Sequence, residues 1–267
     1  MIIAQALQSS GVAPIDARVL LRATLAVDDA YLIAHAGDAL GEAHEARYHA
    51  LLARRAAGEP VAYIIGEREF YAHGFKVTPA VLIPRPETEL LVELALQRDA
   101  RQVLDLGTGS GCVAISIALA RAAARVVAVD QSAAALAVAR ANAARLDARN
   151  VEFLGGNWFD AVPARRFDLI VSNPPYVAAG DPHLAQGDLR FEPPSALTAG
   201  ADGLDDIRTI VAGAGAHLCA GGWLLFEHGY DQAPRCRELL TRAGFAAVQS
   251  WRDLAGIERV SGGCAPS

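Results

Sequence analysis

The first quarter of the chain carries apolar residues at helical spacing. Pro14-Ile15-Asp16-Ala17-Arg18-Val19-Leu20-Leu21 joins a proline suited to a first helical turn to apolar positions three and four apart. Asp28-Asp29 open a second, short helix through Tyr31, Leu32 and Ile33. Glu42 to Ala57 reads as a longer helix whose buried stripe is Tyr48, Leu51 and Leu52. Its basic end, Arg54-Arg55, suits the negative pole of a helix, and Gly58 stops it. His44 and His49 are five apart and off one face, as solvated helix histidines are, and no metal site is expected there.

The period then changes. Glu69-Phe70-Tyr71 and Phe75-Lys76-Val77 flank Ala72-His73-Gly74, which predicts a β-hairpin with a three-residue loop. Leu82-Ile83-Pro84-Arg85-Pro86-Glu87-Thr88-Glu89 follows, with two prolines making a rigid entry to a helix through Leu90, Leu91 and Leu94. This stretch is either a plain linker with a capped helix or a wall of an active site. From Gln102 onward strands and helices alternate. Strands are expected at Val103 to Leu106, Val126 to Asp130, Val151 to Leu154, Phe167 to Ser172, Trp223 to Glu227 and Ala246 to Val248, with a last one near Arg259-Val260. Such alternation predicts a parallel sheet covered by helices on both faces, with ligands at the carboxyl ends of its strands. The chain divides accordingly into a helical domain over 1–68, a hairpin linker over 69–83 and an α/β domain over 84–267.

Composition narrows the classes. A chain of 267 residues, 52% hydrophobic and 20% charged, is globular rather than disordered. A net charge of −6 offers no global attraction to a phosphate backbone, so direct nucleic-acid binding is not expected. Cys112, Cys219, Cys236 and Cys264 are scattered without CxxC or Cys/His spacing, which points to reduced thiols in a cytoplasm and away from zinc. Met1-Ile2-Ile3-Ala4-Gln5 lacks the basic start and apolar run of a signal peptide. The most membrane-like stretch, Ile210 to Phe226, is broken by four glycines and His217 and reads as helix, turn and strand.

Three turns carry candidate chemistry. Asp105-Leu106-Gly107-Thr108-Gly109-Ser110-Gly111 joins the first sheet strand to its helix, and its glycines let a ligand approach the backbone. The spacing is GxGxG rather than the dinucleotide fingerprint. Asp130, nineteen residues beyond Gly111 at the end of the next strand, is placed to accept both hydroxyls of a ribose. No Walker lysine is present and no arginine follows Asp130 closely, which disfavours nucleoside triphosphates and NADP. Gly155-Gly156-Asn157-Trp158-Phe159-Asp160 sets an amide beside aromatic rings, either to hold the edge and face of an adenine or to plug the core. The strand Phe167 to Ser172 runs into Asn173-Pro174-Pro175-Tyr176, where two prolines forbid both strand pairing and an immediate helix. Such a turn is suited to hold a flat amino group by two acceptors beside an aromatic wall.

Together these segments resemble the class I S-adenosylmethionine-dependent methyltransferases, and most fully the HemK/PrmC family, the release-factor glutamine N5-methyltransferases. The resemblance covers nearly the whole chain: the helical domain, the hairpin, Ile83 to Glu89, Asp105 to Gly111, Asp130, Asn157-Trp158-Phe159, Asn173 to Tyr176, Arg190-Phe191-Glu192-Pro193, Glu227-His228-Gly229 and Glu258-Arg259-Val260. It implies a Rossmann-like, mostly parallel seven-stranded sheet with a small N-terminal helical domain that docks the protein substrate. It also implies that Gly107, Thr108, Gly109, Ser110, Gly111, Asp130, Asn157, Trp158 and Asn173 hold S-adenosylmethionine. Asn173 and Pro174 would accept hydrogen bonds from the glutamine amide of a Gly-Gly-Gln motif in peptide chain release factors, with Pro175 and Tyr176 beside it. The family often has Asp where this chain has Asn157. A monomer is expected, no metal is implied, and no residue is assigned as general base. The rival readings are adenine N6-methylation of nucleic acid, with which the NPPY turn is shared, and a non-catalytic release-factor or ribosome adaptor.

Overall fold

A computed structural model describes residues 1–266. Five helices open the chain: α1 (Ile3–Gln8), α2 (Pro14–Leu25), α3 (Asp29–Ala34), α4 (Glu42–Ala56) and α5 (Val61–Ile65). Pro14 takes the first position of α2, where its missing N–H costs nothing. The Asp28 carboxylate caps α3 by accepting from the Tyr31 N–H at 2.8 Å. Tyr48 and Leu52 of α4 are buried with Ile3, Leu20, Leu21 and Leu32 in one apolar cluster, while Leu51 is half-buried at its margin. The Tyr48 hydroxyl donates to the Ala17 carbonyl at 3.2 Å, and burial pushes it up to about 12. One compact unit comprises residues 1–67 together with His183–Phe191, a segment of 3-10 turns far along the chain. Within that unit Arg55 Nη1 donates to Asp188 Oδ1 at 3.0 Å, and Arg190 Nη2 donates to the Ala57 carbonyl at 3.1 Å.

The second unit comprises Arg68–Pro182 and the chain from Glu192 onward. Strands β1 (Glu67–Phe70) and β2 (His73–Lys76) pair through a two-residue turn at Tyr71-Ala72, with φ of 48° and 61°. The expected three-residue loop is therefore one residue too long. Two residues at positive φ match the twist of the paired strands and put Phe70 and Phe75 diagonally on one face. Their rings meet edge-on with centroids 6.1 Å apart.

After α6 (Glu89–Leu96) come β3 (Gln102–Leu106), α7 (Cys112–Ala120), β4 (Arg125–Asp130), α8 (Ala133–Arg145), β5 (Val151–Gly155) and β6 (Phe167–Ser172). They are followed by α9 (Asp205–His217), β7 (Leu218–Glu227), α10 (Ala233–Arg242), β8 (Ala246–Arg252) and β9 (Glu258–Cys264). The seven-stranded sheet runs β5-β4-β3-β6-β7-β9-β8. β5 through β7 pair in parallel, and β9 is antiparallel to both neighbours. A short turn joins β8 to β9, and such a turn can only make an antiparallel pair. Adjacent strand residues serve opposite layers, as the two-residue period requires. Val103, Val126 and Leu169 join the apolar layer with α6 and α7, while Leu104, Val127 and Ile170 join the layer with α9 and α10.

The stretch from Ile210 to Phe226 is helix and strand with its turn folded into β7. Phe167 pairs with Leu218 but Leu169 with Trp223, so the surplus residues bulge out between them. Among the described residues no helix is long and apolar enough to cross a membrane.

The exposed Ala26 ends α2 at φ 56°, in the left-handed region that glycine enters without strain. Ala26→Gly is expected to stabilise the helical unit by about 0.5–1 kcal/mol. Urea unfolding followed by circular dichroism checks this, as an upward shift of the midpoint at unchanged slope.

Candidate active site

The chain leaves β3 for β4 and β5 before β6 returns to lie against β3. Loops at this point diverge and leave a crevice at the carboxyl ends of the strands. A cleft of about 470 Å³ opens there. It is lined by the glycine turn after β3, by Asp130 after β4, by Asn157 and Trp158 after β5, and by Asn173 and Pro175 after β6.

The glycine turn takes its shape from two requirements. Gly107 has φ 71°, and a Cβ there would come 3.3 Å from the Trp158 ring. Gly111 has φ 82° and precedes α7, where a Cβ would lie 2.9 Å from Ile115 Cδ1 and 3.1 Å from Ala139 Cβ. Gly111 thus lets α7 and α8 approach each other and is not a wall of the cleft, whereas Gly107, Thr108, Gly109 and Ser110 are. Asp130 Oδ2 accepts from the Gly109 N–H at 2.9 Å, and Oδ1 accepts from the Ser132 N–H at 2.8 Å. Each oxygen keeps a lone pair for a hydroxyl. Asp105 is 1% exposed and accepts from the Thr108 hydroxyl at 2.6 Å. Burial pushes its carboxyl up to about 7, against the pull of that hydrogen bond.

On the opposite wall, Trp158 takes φ 46°, a conformation a bulky side chain rarely adopts. Its indole lies beside Asp206, in the first turn of α9, and favours the ionised form of a carboxyl that burial and Asp205 nevertheless hold above the usual range. Asp206 and Thr209, both on α9, line the cleft, and the sequence reading names neither as a site residue. Asn157 is exposed at the rim.

The proline turn is held from three sides. Asn173 Nδ2 donates to the Thr88 hydroxyl at 3.1 Å. The Tyr176 hydroxyl donates to Glu227 Oε1 at 3.0 Å, and the Tyr176 carbonyl accepts from Gln232 Nε2 at 3.0 Å. Tyr176 and Pro174 therefore sit behind the cleft, while Asn173 and Pro175 face it. Thr88 belongs to the 3-10 turn Pro86–Thr88, so the proline-bracketed segment is a wall and not a plain linker. Arg85 Nη2 donates to Glu192 Oε2 at 2.5 Å, and Glu192 Oε1 accepts from the Ile83 N–H at 3.3 Å, which ties that wall to the segment after the 3-10 turns.

The charged walls are Asp105, Asp130 and Asp206 against Arg85 alone. The carboxylates outnumber the base, and one of the loop N–H groups is spent on Asp130, so the cleft suits a cationic or neutral nucleoside better than a phosphate chain. Among the described residues no group of three or more His, Cys, Asp or Glu is arranged to hold a metal ion.

Two family profiles match the chain, one described as PrmC N-terminal domain over residues 2–66 and one as Methyltransferase small domain over residues 86–188. A release factor glutamine methyltransferase of Bordetella pertussis is 54% identical over 262 residues, covering 96% of this chain and 97% of its own length. One from Burkholderia pseudomallei is 55% identical over 273 residues, covering 98% and 96%. Among solved structures, a methyltransferase from Pyrococcus furiosus is similar with a TM-score of 0.58 at 17% identity, covering 80% of this chain and 98% of that one. A T. thermophilus 16S rRNA methyltransferase in complex with AdoMet and guanosine has a TM-score of 0.55 at 23% identity, covering 74% and 49%. At these identities the two structures are alike in fold alone.

The raised carboxyl of Asp105 makes a signed prediction. Its folded form keeps a proton that the unfolded chain has lost between about pH 4 and 7, so its contribution to stability falls as pH rises through that window. The unfolding free energy of Asp105→Asn minus that of the wild type should therefore climb from about pH 4 to 7 and then level off. Urea titrations at half-unit steps check this, and a difference independent of pH would refute the shift.

Proposed function

The chain belongs to the release factor glutamine methyltransferase family, and from that premise we propose that it methylates the side-chain amide nitrogen (N5) of the glutamine in the Gly-Gly-Gln motif of peptide chain release factors. The observation that carries this reading is the Asn173 side chain, which spends an N–H on Thr88 and turns toward the cleft. Its oxygen is offered to one N–H of a primary amide, and we assign the other N–H to the carbonyl of Pro174, whose ring lies behind the cleft. Pro175 forms the adjoining wall.

S-adenosylmethionine is the methyl donor this reading requires, and the cleft fits it in size, in charge and in the lone pairs left on Asp130. Asp130 is assigned the ribose hydroxyls. Trp158 and Asn157 are assigned the base, and Gly107 to Ser110 the remaining length of the molecule. Bound there, S-adenosylmethionine supplies an electrophilic methyl group on a sulfonium.

An amide nitrogen is a poor nucleophile because its lone pair is delocalised into the carbonyl. Two acceptors on its hydrogens fix the plane of the amide and stabilise positive charge as it develops on nitrogen. An amide protonated on nitrogen is a strong acid, so its proton leaves to any nearby acceptor and no general base is assigned. The helical unit contributes none of the cleft residues, and we assign it to docking the release factor. Ile15 and Ile33, 67% and 69% exposed, are apolar anchors on its surface.

Purified chain with labelled methyl donor should label an intact release factor, but neither the same protein with its Gly-Gly-Gln glutamine changed to alanine nor duplex DNA. Equal label in both proteins, or label in DNA alone, overturns the reading, and no label in any acceptor favours an adaptor. Asn173→Ala should lower transfer by about a hundredfold or more. Its cofactor affinity, measured by calorimetry, should stay within about tenfold of the wild type. The double substitution Ile15→Asp with Ile33→Asp should raise KM for the release factor by about tenfold while cofactor affinity is unchanged.

A further inference from the structure

Glu227 ends β7 and is 1% exposed. Its Oε1 accepts from the Tyr176 hydroxyl at 3.0 Å, and its Oε2 has no hydrogen-bond partner among the described residues. The Thr88 hydroxyl lies beside this carboxyl and favours its ionised form. Thr88 is 1% exposed, and its oxygen accepts from Asn173 Nδ2 at 3.1 Å. One buried carboxyl thus reaches both ends of the proline turn, Tyr176 directly and Asn173 through a hydroxyl.

The direction of these hydrogen bonds follows from what each group can do. An ionised carboxylate only accepts, and a hydroxyl has one proton. With Glu227 ionised, Thr88 gives its proton to Glu227 and offers Asn173 lone pairs alone. Asn173 must then turn its NH2 toward Thr88, which sends its oxygen toward the cleft. A neutral Glu227 reverses the order, because a carboxylic acid donates to Thr88 and frees the Thr88 proton. That proton can meet the Asn173 oxygen, and the amide can turn over to present N–H to the cleft. Two donors would then face each other where a substrate N–H has to be received.

We propose that Glu227, acting through Thr88, is a positioning residue that fixes the Asn173 amide with its oxygen toward the cleft, so that the charge on Glu227 decides whether the turn can accept a substrate N–H. The inference rests on the reading of Asn173 as the acceptor of the glutamine amide. Burial pushes the Glu227 carboxyl up to about 7, so the change of charge falls in the neutral range. Arg259 on β9, Thr88 and Tyr176 favour its ionised form, while Glu87 opposes it. Cys112 of α7 also faces it, and burial pushes that thiol up to about 12, so it stays neutral across this range.

The test reads the amide itself and then turnover. In the full-length protein labelled with ¹⁵N-asparagine, the Asn173 NH2 resonance is assigned by its loss in Asn173→Ala. It should shift with a midpoint near pH 7 in the wild type and show no such midpoint in Glu227→Gln. Methyl transfer to a release factor should fall as pH drops through the same midpoint, and this acid limb should vanish in Glu227→Gln. Thr88→Val should lower kcat by about tenfold or more with cofactor affinity retained, and Thr88→Ser should recover most of the loss. An Asn173 resonance that does not titrate, or Thr88→Val and Thr88→Ser with equal kcat, overturns the proposal. An Asn173 resonance that titrates as described in a protein that methylates no release factor leaves the relay standing and overturns the function instead.

Discussion

Leu106 of β3 lies opposite Ser172 of β6, and the Ser172 hydroxyl donates to the Leu106 carbonyl at 2.7 Å. These two parallel strands are neighbours in space but are separated in sequence by α7, β4, α8 and β5. Their alignment makes the glycine turn and the proline turn leave the same edge side by side. A donor site on one loop and an acceptor site on the other therefore come together without either loop having to be long. A slip of one residue in this pairing would turn Leu104 and Leu106 to the opposite face from Ile170, with which they share a fully buried layer. The apolar core thus fixes the distance between the two halves of the site.

The same edge concentrates buried carboxyl groups at a cost in stability. Asp105 and Glu227 stand at 1% exposure, and each is held by hydroxyls rather than by a full ion pair. Burial without a strong counter-charge favours the protonated form, and a well-packed apolar residue would stabilise the fold more. Their retention fits a site in which hydrogen-bond direction matters more than binding energy. Arg85 and Glu192 serve a different end, because they fasten a loop wall with a largely buried ion pair.

The parts of the fold set by local period were legible in the sequence. The helices at Pro14 and Glu42, the alternation from Gln102 and the glycine turn with Asp130 all follow from spacing within a few residues. The hairpin was read one residue too long because nothing in Tyr71-Ala72 announces two positive φ angles. That conformation goes with the edge-on contact of Phe70 and Phe75, which comes only with the folded hairpin. Thr88 reaches Asn173 across 85 positions, and Tyr176 reaches Glu227 across 51. No sequence window spans such distances, so these partners emerge only when the sheet is assembled. Asp206 is the extreme case: its contact with Trp158 depends on where α9 is laid, and an acidic first turn has an ordinary explanation in the helix dipole.

The short segment His183–Phe191 belongs with the helical unit, although the residues on both sides of it belong with the sheet. The polypeptide consequently passes from one unit to the other at 67/68, at 182/183 and again at 191/192. Two units joined by one crossing can be exchanged, trimmed or circularly rearranged as modules. Units joined by three cannot, since a single cut would strand Asp188 and Arg190 away from Arg55 and Ala57. The helical unit is thus stitched in rather than appended, and recombination that swapped it alone would leave the donor's segment behind. Its sequence has to change in step with a loop more than a hundred residues downstream.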